Sequence, residues 1–423
     1  MKKRIFSTAG VATFAVAMAF NINAGISSNA ATDIALANVE ALVQGVSMQF
    51  CSGYDGNTSG WGKKNPNYKK ESVFVLEPIG SKQISLPEGT SSLRNPLQYM
   101  QTPDGEFIFY FDQIRAVIYC IDYKMGRTIE GKTIQITAQR ADERNIFHGF
   151  FVLSSDSLLV LDYHRTSTIF LLNGKGDIVN TYRLGENRGS LIGLEQEPYR
   201  NGDELLLAGY SPDETATKIG SLPVCDIYDT AKKTYLKNEK IDYPDYYYKY
   251  HWGGGFLREP HTTACYPKNT YIYSFPVSHD IHVYDVKKKQ VKTFCAGSSF
   301  IEQISPYKTG KDYNPDEKTD YLKYALEQAS YYKVLYDPYR QIYYRLVGLP
   351  SAKLDMKDMK TYKKELSVII LDKDFSFLGE TFLGIDYEPF CAFVNKDGLN
   401  ILSKYIVGKK IEFSTFLPKR KQQ

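Results

Sequence analysis

Concentrated charge is the first thing this sequence lacks. The formal net charge is +4 over 423 residues, and Lys2, Lys3 and Arg4 supply three of those charges with no acid near them. The remainder is close to neutral, without the concentrated basic face that nucleic acid requires. No Lys/Arg run reaches polybasic length, and the short tail Lys419-Arg420-Lys421 reads as a solvated terminus. Cys-x-x-Cys pairs are missing, and with them the usual spacing of a zinc site. There is no G-x-S-x-G nucleophile elbow, and no sialidase-type Asp box falls at a strand turn. The nearest approach to such a box, Ser52 to Asn57, sits in a Gly- and Asn-rich stretch and reads as flexible loop. Beyond residue 24 no apolar run approaches the roughly 20 residues a membrane helix needs. These absences remove a nucleic-acid binder, a zinc module, a serine hydrolase and a polytopic membrane protein.

What is present begins with an address. A positive start is followed by an apolar stretch from about Gly10 to Phe20. Small and polar residues then run through Asn21 to Gly25, the pattern of a signal peptide cut after Ala24. The first cysteine, Cys51, lies too far downstream to be a lipid-bearing residue. An oxidising compartment makes six cysteines look like a disulfide set. Cys120, Cys225, Cys265, Cys295 and Cys391 nevertheless all fall inside apolar strand-like runs, where free cysteine acts as a small buried hydrophobe.

Residues 25–70 form a segment apart. Asp33 to Gln44 has helical character, and Cys51 to Lys70 has linker composition. Within it, Asn38-Val39-Glu40-Ala41-Leu42 resembles the NVEALA leader proteins of the Bacteroidota, small exported polypeptides without an assigned role; Val43 departs from their pattern.

From Glu71 the pattern changes to short alternating or wholly apolar strands between turn residues, with 34 Tyr and 23 Phe to suit strands. A four-strand outline repeats, its third strand ending near Asp or Asn. Its copies run from Pro96 to Ile136, Gly149 to Leu184, Glu204 to about Ile241 (looser), His261 to Gly297, and Tyr331 to Gly384. The last, Pro389 to Phe416, has only three clear strands. A ring with an incomplete blade would leave an open edge. The unassigned stretches Val73 to Leu76 and Lys82 to Leu86 are the candidates to fill it. The sequence therefore predicts an all-β, six-bladed propeller of four-stranded blades over residues 71–423, closed by an N-terminal strand. A short helical insertion is expected at Asp316 to Ala329, and an aromatic loop at Asp242 to Phe256. This outline, with Tyr336 to Arg340 and Tyr343-Tyr344-Arg345 as its most telling stretch, resembles a TolB-like six-bladed propeller family of unknown function from Bacteroidota. The resemblance implies the fold and no activity. Many such relatives carry a lipoprotein cysteine near the start, which this chain lacks.

In a propeller the loops joining strands two and three share a face with those leading into each inner strand. That register selects Asp112, Arg115, Asp162, His164, Arg165, His279, Asp280 and Lys404 from the first kind of loop. Arg94, Arg144, His148, Arg258, His261 and Glu388 come from the second. The ligand-binding candidates carried forward are Arg94, Asp112, Arg115, His148, Asp162, Arg165, Arg258 and His261. Arginine forks beside carboxylates suit an anionic or polyhydroxyl ligand. His279-x-x-His282 lacks further metal ligands, and Asp112, Asn145, Asp162 and Glu388 make only a loose calcium set. No catalytic residue, metal or cofactor is assigned. The expectation is an exported monomer, periplasmic, envelope-bound or secreted, binding a protein or glycan on this face. A channel-mouth metal-dependent hydrolase or lyase, or a carrier of a released leader peptide, are the alternatives.

Overall fold

A computed structural model describes residues 64–90, 96–136, 147–154, 156–162, 168–183, 196–209, 225–237, 241–307, 318–351, 354–358, 362–406 and 410–422. The expected signal peptide, its cleavage point and the NVEALA-like stretch lie outside the described residues.

Among the described residues, twenty-four strands form six four-stranded antiparallel sheets, the blades of a propeller. Blade 1 holds β2 (Leu97–Thr102), β3 (Gly105–Asp112), β4 (Val117–Asp122) and β5 (Arg127–Gln135). Blade 2 holds β6 (Phe147–Ser154), β7 (Ser157–Asp162), β8 (Thr168–Asn173) and β9 (Ile178–Arg183). Blade 3 holds β10 (Tyr199–Asn201), β11 (Glu204–Ala208), β12 (Cys225–Asp229) and β13 (Thr234–Lys237). Blade 4 holds β14 (His261–Cys265), β15 (Thr270–Ser274), β16 (Asp280–Asp285) and β17 (Gln290–Cys295). Blade 5 holds β18 (Ser330–Asp337), β19 (Ile342–Leu349), β20 (Glu365–Leu371) and β21 (Phe377–Gly384). Blade 6 holds β22 (Glu388–Asn395), β23 (Gly398–Ile406) and β24 (Lys410–Arg420), with β1 (Phe74–Ser85) as its outer strand. The two stretches expected to close the ring are thus one strand, bent by a register shift between Pro78 and Gly80.

Period-2 alternation explains why these strands read as solidly apolar. Phe107, Phe109 and Phe111 pack toward Phe150 and Val160 of blade 2, while Ile108 and Tyr110 pack toward Phe393 and Phe413 of blade 6. Similar clusters join blades 2 and 3, blades 3 to 5, and blades 5 and 6. Each middle strand therefore buries both faces against a neighbouring blade.

The Asp or Asn at the end of the third strand also has a physical cause. Asp122, Asn173, Asp229, Asp285 and Asp372 each accept backbone N–H groups two to four residues on. The side chain makes the turn that starts strand four.

Two insertions cover the ring. The aromatic loop turns inward: helix α1 (Tyr246–Lys249) buries Tyr246 and Tyr247, and Trp252 packs beside them. Helix α2 (Lys318–Glu327) lies on this loop, with Tyr321 against His251 at 5.0 Å between ring centroids. Tyr243, Tyr246, Tyr247 and Trp252 of the loop are thus core, with Tyr248, Tyr250 and Phe256 half-buried against them. Residues 64–70, expected as linker, pack with Glu71 and Ser72 on blades 4 and 5. Asn65 and Asn67 are buried, donating to the carbonyls of Ser298, Ile301 and Gly297. Glu380, also buried, accepts from Ser298, Ser299 and Ser367 and donates its backbone N–H to Ser72. Cys120, Cys225, Cys265 and Cys391 are buried thiols outside any disulfide, as their positions suggest. Cys295 differs: it is disulfide-bonded, which strand position alone did not reveal.

Candidate functional site

The six inner strands surround the ring axis, and an isolated parallel bridge between Gln196 and Thr262 joins the inner edges of blades 3 and 4. Pairings such as His261 with Ser274 and Leu97 with Tyr110 put the start of each inner strand beside the end of its second strand. His261 and Arg115 accordingly lie on one face, as the register required.

The eight candidates fare differently on that face. Arg94 and Arg165 lie outside the described residues, as do the side chains of His148 in β6 and Asp162 in β7. Asp112 is fully buried and accepts the backbone N–H of Arg115, so it shapes a turn. Arg115 is exposed, with Nη1 3.4 Å from the carbonyl oxygen of Glu88. Arg258 is fully buried, its carbonyl accepting from the Tyr243 hydroxyl. His261 lies at the mouth, with its ring against Tyr332 of blade 5 and Phe390 of blade 6 at 5.6 and 6.0 Å. Its Nδ1 has no hydrogen-bond partner. Burial, aided by the charges of Lys333 and Arg345, pushes its pKa down to about 3, so it is neutral.

Residues that the sequence did not single out complete the mouth. Both inner strands opposite His261 carry register shifts, between Tyr331 and Val334 in β18 and between Glu388 and Ala392 in β22. These irregularities hold Tyr332, Lys333 and Phe390 where a regular two-residue alternation would not put them. Lys333 acts electrostatically on Glu197 of blade 3 as well as on His261 of blade 4. Burial raises the Glu197 carboxyl to about 7, against the opposing pull of Lys333. Lys364 donates to the Ser330 hydroxyl at 2.7 Å, and burial lowers its pKa to about 7. Lys363 beside it is lowered for the same reason. Gln196 donates to Glu259 at 2.8 Å. Lys333 thus stands within electrostatic reach of His261 at the mouth and of Glu197 farther along β14, whose carboxyl accepts the Ala264 N–H and also acts on Tyr266.

The tempting histidine pair is not a pair. His279 is buried, 2.6 Å from the Tyr331 hydroxyl, and burial and the Arg345 charge push its pKa down to about 3. His282 instead meets the Thr293 hydroxyl at 3.1 Å. Among the described residues no group of three or more His, Cys, Asp or Glu side chains could hold a metal ion. Nor is any helix among them long and apolar enough to cross a membrane.

A cleft of about 440 Å³ opens at the other end of the ring. Leu153, Arg200, Gly202, Asp203 and Tyr266 line it, all at or beside hairpins between first and second strands.

Residues 72–382 match the model of a family described as "Domain of unknown function (DUF4221)". A crystal structure of a member of that family from Bacteroides vulgatus is similar, with a TM-score of 0.70 at 19% identity; it covers 83% of this chain and 100% of that one. At that identity the likeness establishes the fold. A candidate exported protein from Bacteroides fragilis aligns at a TM-score of 0.45 and 12% identity, over 85% of this chain and 98% of its own. No curated protein matches the sequence.

Proposed function

The chain belongs to the DUF4221 family, and from that premise we propose an exported, non-catalytic propeller that binds a protein or glycan partner at the His261 face. It leaves the cell behind an NVEALA-type leader. The carrying observation is that Lys333 of blade 5 acts both on His261 at the mouth and on Glu197 of blade 3, whose carboxyl accepts the Ala264 N–H deeper along β14. A partner's carboxylate would meet Lys333 and Lys364 as charge-assisted donors. Tyr332 and Phe390 would cover its apolar neighbour.

The pH dependence follows from two signs that agree. Lys364 loses its proton as pH rises through about 7, which removes a cation. Glu197 becomes ionised over the same interval, which adds an anion. Both weaken an anionic partner's hold, whereas His261 stays neutral throughout. Capture from a cell-envelope extract is expected to be about tenfold stronger at pH 6 than at pH 8, the size of one charged hydrogen bond. A Lys333→Ala/Lys364→Ala variant with an unchanged melting point should lose that capture. Equal capture by wild type and variant would remove this site from the proposal. For export, mass spectrometry of the mature chain should find Gly25 at its N-terminus; an intact Met1 in the envelope fraction would count against a cleaved leader.

A further inference from the structure

A second binding site is built into the opposite end of the ring. We propose that the cleft at Tyr266 binds a neutral saccharide, independently of the His261 face. The centre of the site is an aromatic plate. Tyr266 is 44% exposed although its ring is stacked on Tyr199, with centroids 4.7 Å apart and planes at 22°. One face is thus fixed from behind and the other is left to the cleft. The hydroxyl is anchored too, accepting the backbone N–H of Arg200 at 3.2 Å. A ring held by stacking and by its hydroxyl loses little freedom when a ligand settles on it.

Polar groups stand at the edge of that plate. The hairpin between β10 and β11 turns through Gly202 and Asp203, with Gly202 at φ +61° and Asn201 paired to Glu204. Glycine at the first turn position suits a type II′ connection. A Cβ on Gly202 would meet open space, so backbone conformation rather than crowding selects glycine there. The tight turn projects the exposed carboxylate of Asp203 into the cleft lining. Arg200 is pinned beside it, its Nε donating to the Gly202 carbonyl at 3.2 Å. Leu153 of blade 2 supplies an apolar wall.

Each part matches one part of a pyranose. The C–H face of the sugar packs on the open Tyr266 ring, an amphipathic surface suited to a half-apolar ligand. Asp203 accepts from vicinal hydroxyls, and Arg200 donates to hydroxyl or ring oxygens. Arg200 faces Asp203, and Glu197, which acts on Tyr266 from the channel side, is itself raised to about 7 by burial, so the cleft holds no net positive charge and favours a neutral sugar over an anion. The volume falls in the range of small-ligand pockets.

The test is saturation-transfer NMR and calorimetry on the full-length protein. The probes are glucose, galactose, mannose and N-acetylglucosamine, with their β-linked disaccharides. At least one probe should bind at about millimolar Kd or tighter. Tyr266→Ala should weaken it tenfold or more, and Asp203→Ala several-fold; both residues are exposed, so the fold should persist. Lys333→Ala/Lys364→Ala should bind the sugar as wild type does, which separates this site from the one at the other mouth. Failure of every probe to bind, or equal binding by the Tyr266→Ala and Asp203→Ala variants, would overturn the proposal.

Discussion

Arg345→Met is expected to lower the free energy of unfolding by about 4 kcal/mol, a large part of the 5–15 kcal/mol typical of a folded protein. Arg345 is fully buried in β19, yet its guanidinium serves blade 4. Nη1 donates to the carbonyls of His279 and Ala296, each at 2.9 Å. Nη2 reaches the carbonyls of Ser278 and Asp280 at 2.8 and 3.2 Å, and Nε and Nη2 share the Ser274 hydroxyl. The guanidinium carbon sits 3.8 Å above the centre of the Tyr331 ring, as a cation over an aromatic face. Burial pulls its pKa down to about 10, which still leaves it charged at neutral pH. Methionine keeps the length and removes every donor, so four carbonyls lose a partner inside the protein. Such groups cost about 1–3 kcal/mol apiece when left unpaired, less whatever relaxation recovers. Lysine keeps the charge but not the planar fork, and three protons on one nitrogen cannot span these acceptors. Arg345→Lys should therefore destabilise too, by about half as much. Urea unfolding at pH 7 measures both, and a methionine variant within about 1 kcal/mol of wild type would show that the fork is dispensable.

How far the sequence disclosed this depends on range. The blades were legible because alternation and turn residues are local signals. Asp122, Asn173, Asp229, Asp285 and Asp372 mark turns by bonding to their own neighbours. Inner strand β10 was not legible, since Tyr199–Asn201 is too short for a period to register. Arg345 stood in plain view within Tyr343-Tyr344-Arg345. Its role was hidden because all its hydrogen-bond acceptors lie 49 to 71 residues earlier in the chain. The mouth was half legible for a related reason. The face could be inferred from strand order, which gave His261 and Arg115. Tyr332, Lys333 and Phe390 sit at register shifts, and no period-2 pattern announces a bulge. Arg258 shows the converse error, a charged loop residue taken for a rim group and found fully buried. The cleft at Tyr266 was not legible because Leu153, Arg200, Asp203 and Tyr266 come from hairpins of three different blades, far apart in the chain.

Removing residues 1–86 is expected to abolish cooperative folding, although among the described residues it takes away one strand of 24. Strand β1 pairs along β24 from Phe74 with Arg420 to Ser85 with Lys410, so its loss bares the full edge of blade 6. It also ties that blade to both neighbours. Toward blade 5, Val73 donates to the Leu378 carbonyl at 2.9 Å and the Leu76 N–H to the Thr381 hydroxyl at 2.7 Å. A Cβ at Gly379 would come within 2.0 Å of the Phe74 carbonyl oxygen, which shows how closely the strand is seated. Toward blade 1, the Ser85 N–H donates to the Gly126 carbonyl at 2.8 Å. Phe74 and Leu76 pack between blades 5 and 6, and Ile84 and Leu86 between blades 6 and 1. Four such side chains contribute about 1.5–3 kcal/mol each, a sum comparable with the whole stability of a typical domain. Because the strand comes from the far end of the chain, it joins blade 6 through side chains and ladder bonds rather than through a hairpin. A synthetic peptide of residues 64–90 added to the truncated chain should therefore restore part of the near-UV signal, which a simple loss of chain length would not predict. A truncated chain that melts cooperatively within a few degrees of the full protein would show that three strands suffice to close the ring.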